Sequence, residues 1–89
     1  MVNAVKNNLD AIRDACKKHR VESLYIFGSA ARELDFAEKS DIDFLYRFKS
    51  AELNELDYAD NFFGLKFTLE TITGRNVDLI SIDHLTNPF

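Results

Sequence analysis

Apolar residues early in the chain recur at Val2, Val5, Leu9, Ile12 and Cys16, a 3-4-3-4 spacing that lays one stripe along a helix. Asn3 suits the N-cap of that helix, and Lys17, Lys18, His19 and Arg20 complement its C-terminal end. Cys16 is then a core residue and His19 serves the helix end. Ser23 to Phe27 is a β-branched and aromatic run halted by Gly28-Ser29, and it reads as a buried strand. Ala30 to Leu34 favours a short helix, Asp35 to Ser40 a polar turn, and Asp41 to Phe48 a second strand. From Asp57 the 3-4 spacing returns through Tyr58, Phe62, Leu65, Leu69 and Ile72. Phe63 and Phe67 widen that apolar face and are read as core. Asp57 is placed to cap this helix and Gly74 to end it in a left-handed turn. Val77 to Ile80 forms a third short strand, and Ser81 to Phe89 has no clear period.

The order α-β-α-β-α-β predicts an α/β (α+β) chain, a small three-stranded mixed sheet with helices packed against it. With 89 residues, and without repeats or low-complexity tracts, positions 1–89 are expected to form a single domain. The 46% hydrophobic content is too high for a disordered acidic tail. No apolar run approaches the roughly 18 residues of a membrane span, and no secretory signal is visible. One cysteine excludes an internal disulfide and a Cys-based zinc site, which points to the cytoplasm. A net charge of −4 argues against a surface built to hold nucleic-acid backbones.

The candidate chemistry comes from acids set where a plain core would not want them. Asp41 and Asp43 flank Ile42 at a strand start, so both carboxylates leave one face while Ile42 and Phe44 enter the other. Asp78 is an isolated acid inside an apolar strand. A short connection after Gly28 favours an antiparallel return. The following helix then carries the chain back, so the third strand runs parallel to the second and Asp78 falls beside Asp43. Gly28-Ser29, Asp41, Asp43 and Asp78 thus converge at one end of the sheet. Hard carboxylate oxygens suit Mg²⁺, and three acids can hold two such ions for a phosphoryl or nucleotidyl transfer. A Gly-Ser turn opening a helix offers N–H groups and a hydroxyl to a triphosphate, and Arg32 a charge-assisted contact. Each piece also has a plain structural reading. Asp-x-Asp often marks solvated strand-end acids, Gly-Ser many ordinary turns, and Arg32 by itself a solvated surface residue.

Several other motifs are excluded. The sequence lacks Gly-x-x-x-x-Gly-Lys-Ser/Thr, a strand-following Gly-x-Gly-x-x-Gly and the continued acid pattern of an EF-hand loop. Leu45 breaks the Asp-x-Asp-x-Thr of aspartate-nucleophile phosphatases. Taken together, Ile26 to Arg32, Ser40 to Leu45 and Asn76 to Ile80 resemble the minimal nucleotidyltransferases of the DNA polymerase β-like superfamily. The resemblance spans nearly the whole chain. It implies a nucleotidyltransferase fold, two Mg²⁺ ions and ATP or another nucleoside triphosphate as donor. By position it implies that Gly28 and Ser29, with Arg32, hold the triphosphate and that Asp41 and Asp43 bind the metals. Asp78 would complete the acceptor-side metal and help activate the nucleophile. Eleven residues, Ala30 to Ser40, separate Ser29 from Asp41, one more than the family's usual spacing. Relatives usually add a strand or helix after the third strand, where this sequence has only Ser81 to Phe89.

Small members of the family are commonly antitoxins paired with a HEPN-domain toxin, and some transfer AMP onto that partner. The resemblance therefore implies a protein acceptor, which accords with a core too small for a private acceptor pocket. Two alternatives stand beside it. One is a non-catalytic binding module that neutralises a partner by occlusion. The other is the trimmed catalytic domain of an antibiotic-type nucleotidyltransferase.

Overall fold

The computed structural model describes residues 3–27, 41–49 and 54–83. Their elements are α1 (Asn3–Lys6), α2 (Leu9–Lys18), β1 (Val21–Phe27), β2 (Ile42–Phe48), α3 (Glu55–Thr73) and β3 (Val77–Ser81). The strands lie in the order β1-β2-β3, with β1 antiparallel and β3 parallel to β2. This is the expected three-stranded mixed sheet of an α+β fold. The short helix expected over Ala30 to Leu34 lies outside the described residues.

Among the described residues, one face of the sheet is covered and the other is not. Along β2, Ile42, Phe44, Tyr46 and Phe48 are buried while Asp43, Leu45 and Arg47 alternate with them on the other side. An irregularity between Val21 and Ser23 sets Val21 opposite Phe48 and Leu24 opposite Tyr46. This extra residue in β1 keeps Val21 and Leu24 both on the covered face, although three positions separate them. Leu65 and Leu69 of α3, Ile12 and Ala15 of α2, and Val5 of α1 complete the core.

The first helical stretch is two helices, where the apolar spacing predicts one. Asn7-Asn8 breaks it: the Asn8 side-chain amide donates to Ala4 O at 2.7 Å, and its backbone N–H reaches Val5 O at 3.0 Å. An asparagine that serves the backbone locally competes with continued helix. The break shifts the stripe's phase, so Leu9 becomes exposed and Ala15 takes a core position. Cys16 packs partly buried against the core, and burial pushes its thiol pKa up. His19 caps α2 as expected, donating its backbone N–H to Ala15 O.

The N-cap of α3 is Asn54 rather than Asp57. Asn54 Oδ1 accepts the Asp57 N–H at 2.9 Å, which places Asp57 in the first turn, where its charge favours the helix dipole. Gly74 closes the helix at φ +68° and donates its N–H to Glu70 O at 2.8 Å. A Cβ there would touch nothing within 4 Å, so Gly74→Ala isolates the cost of the left-handed backbone. Urea denaturation should show a loss of about 1 kcal/mol. The apolar face of α3 also needs correction. Tyr58 and Phe62 pack against Tyr46 with tilted rings, but Phe63 is 65% and Phe67 72% exposed. They occupy the outer side of the helix with Leu56, which is 78% exposed.

Candidate active site

Asp41 sits immediately before β2, Asp43 within it and Asp78 within β3. Because β2 alternates, burying Ile42 and Phe44 forces Asp43 onto the open face. The parallel register pairs Asp43 with Asp78, and the antiparallel register pairs Asp43 with Phe27. One row across the sheet therefore reads Phe27, Asp43, Asp78. The sequence-based placement of Asp78 beside Asp43 is what the register gives. Gly28, Ser29 and Arg32 follow Phe27 in sequence and lie outside the described residues.

The acids interact. Burial raises the Asp43 pKa above its ordinary value, and the Asp78 carboxylate raises it further by charge and by a side-chain hydrogen bond. Asp41 adds a weaker repulsion of the same sign. Asp43 is only half-buried, and Asp41 and Asp78 are exposed. The pair is therefore open to solvent and to a ligand. Among the described residues no group of three His, Cys, Asp or Glu side chains is gathered closely enough to hold a metal ion. The facing pair Asp43 and Asp78, with Asp41 flanking it, is nonetheless an oxygen-only donor set. It suits a hard cation such as Mg²⁺ better than zinc, which favours nitrogen and sulfur.

Two residues that bear on this geometry escaped the sequence reading. Glu70 Oε2 accepts the Val77 N–H at 3.0 Å and the Lys66 ammonium at 3.2 Å, and Lys66 also donates to Val77 O. In sequence, Lys66 and Glu70 look like an ordinary i,i+4 surface pair. Farther along the open face, Arg47 pairs with Asp83 at 3.0 Å.

A family model described as polymerase β, nucleotidyltransferase, matches residues 10–89. The chain belongs to the polymerase β nucleotidyltransferase family. A solved structure assigned to the minimal nucleotidyltransferases shares 33% identity with it at a TM-score of 0.63. That likeness covers 86% of this chain and 72% of the other. No curated protein sequence matches the chain significantly. The chain is thus a minimal nucleotidyltransferase domain, of a family that generally uses a nucleoside triphosphate and a divalent metal. Among the described residues no helix is long and apolar enough to cross a membrane.

Proposed function

We propose that this domain transfers AMP from ATP to a partner protein, with Mg²⁺ held by Asp41, Asp43 and Asp78. The observation that carries this reading is the cross-strand pairing of Asp43 with Asp78 on an open sheet face. Two facing carboxylates repel each other, and a divalent cation turns that repulsion into a binding site. When bound, the metal neutralises charge on the phosphates during in-line displacement. An acceptor hydroxyl bonds to the α-phosphorus, the α–β bridging P–O bond breaks, and pyrophosphate leaves. In this reading Asp41 and Asp43 would hold the metal that neutralises the donor's phosphates, and Asp78 would complete the acceptor-side metal and help draw off the acceptor hydroxyl's proton. Gly28, Ser29 and Arg32 are assigned to the triphosphate. Residues 1–89 work as one domain, in the cytoplasm.

The outer face of α3 supports a protein acceptor, with a HEPN-type toxin as the proposed partner. Leu56, Phe63 and Phe67 leave an exposed apolar stripe on a helix that is already apolar on its inner side. An exposed apolar stripe of this kind marks a surface that a partner covers. The same stripe favours a second reading, in which the chain neutralises the partner by occlusion alone.

Labelled ATP, Mg²⁺ and a HEPN-type partner should together give a labelled partner. The Asp41→Ala/Asp43→Ala variant should give none. Equal labelling by wild type and the double variant would sink the enzymatic reading. Full neutralisation by an Asp41, Asp43 and Asp78 triple alanine variant without nucleotide would favour occlusion.

A further inference from the structure

Among the described residues β3 is an edge strand, held by β2 on one side only. On that side Ile42 N–H donates to Asn76 O at 2.9 Å. In a parallel ladder this pattern leaves the N–H and C=O of Val77 itself on the free edge. Both are nonetheless satisfied. The Val77 N–H donates to Glu70 Oε2 at 3.0 Å, and Val77 O accepts from Lys66 Nζ. Lys66 and Glu70 are themselves joined at 3.2 Å, closing a ring between α3 and β3. Together they supply the donor and acceptor that a neighbouring strand would supply.

We propose that the Lys66–Glu70 pair substitutes for a fourth strand at the edge of β3 and, by fixing the Val77 peptide groups, positions Asp78 opposite Asp43. The proposal rests on the reading of Asp78 as part of the metal site. Lys66 and Glu70 act here through the Val77 peptide groups, so both are positioning residues. Val77 is fully buried and directly precedes Asp78, so a twist of its peptide groups is transmitted to the Asp78 carboxylate. The Val77 N–H, and less strongly Lys66, hold Glu70 below the ordinary carboxylate range, so it is an anion at neutral pH. The Val77 bond needs only a carbonyl-type oxygen, which Gln also has.

The test compares Glu70→Ala, Glu70→Gln and Thr73→Ala. Thr73→Ala removes bonds to Leu69 O and from the Arg75 N–H at the end of the same helix, without touching Val77. It therefore serves as a destabilised control. Two readouts are taken: Mn²⁺ affinity by paramagnetic relaxation, and NMR of the metal-free protein for Val77 amide exchange and Asp43–Asp78 cross-strand contacts. Glu70→Ala should speed Val77 exchange, weaken the Asp43–Asp78 contacts and lower Mn²⁺ affinity about 10-fold, a common effect of losing an outer-shell partner. Glu70→Gln and Thr73→Ala should each stay within about 2-fold of wild type, well below that outer-shell effect. Cross-strand contacts unchanged in Glu70→Ala would overturn the proposal, as would an equal loss of Mn²⁺ affinity in Thr73→Ala. A wild-type protein that binds no Mn²⁺ would instead overturn the metal reading, leaving the NMR arm to decide the positioning role.

Discussion

Asp43→Asn should reduce nucleotidyl transfer at least about 1,000-fold, in the range seen when a central catalytic group is removed. The same substitution should raise the melting temperature of the metal-free protein at neutral pH. The two effects have one cause. Burial, then Asp78, then Asp41 hold the Asp43 pKa above its ordinary value. Between the unfolded and the folded pKa, the native state therefore keeps a proton that the unfolded chain has released. Stability falls as pH rises through that window, and above the folded pKa the full penalty is present. Asparagine fills the same space without charge, so it removes the penalty. The gain should shrink as pH falls through the window, because wild-type Asp43 then becomes neutral as well. Calorimetry across pH 3 to 8 without metal checks the sign, given an ordinary aspartate pKa near 3.9. Added Mg²⁺ should raise the wild-type melting temperature and leave Asp43→Asn nearly unmoved. A variant that loses activity and stability together would mean that Asp43 is a structural residue.

The placement of Asp78 beside Asp43 is legible in the sequence, because it depends on parity and connectivity. Alternation fixes Asp41 and Asp43 to one face once Ile42 and Phe44 are buried. A short return and a helical crossover then leave few ways to lay β3 against β2. What escaped depends on competition between nearly equal choices. Asn7-Asn8 broke a helix whose apolar spacing was continuous, since spacing does not register a side chain that bonds its own backbone. Asn54 and Asp57 are both good caps three residues apart, and the structure uses one as cap and the other in the first turn. Lys66 and Glu70 carry no sequence mark of reaching β3. That contact exists only once the helix has crossed the sheet edge. Spacing also places Phe63 and Phe67 in the core, because α3 is apolar on opposite sides and periodicity does not say which side meets the sheet.

That ambiguity gives the sharpest stability contrast in the molecule. Leu65 is fully buried beneath the sheet, while Phe67, two positions on, is 72% exposed. Leu65→Ala should cost about 3–4 kcal/mol, the transfer energy of the lost methyl groups plus the cavity left in a thin core. For a chain of this size the total stability is on the order of 4–13 kcal/mol. The variant should therefore lose much of its urea midpoint at an unchanged slope. Phe67→Ala removes more carbon and yet should fall within about 0.5 kcal/mol of wild type, because the ring has little to lose on truncation. Were Phe67→Ala to cost as much as Leu65→Ala, the outer stripe would be packed within the chain itself, and it would no longer support a partner surface. A near-neutral Phe67→Ala that also weakens capture of the HEPN-type partner would instead tie the second apolar face of α3 to binding. The inner face holds the sheet that carries Asp43 and Asp78. The outer face would then hold the protein on which those acids act.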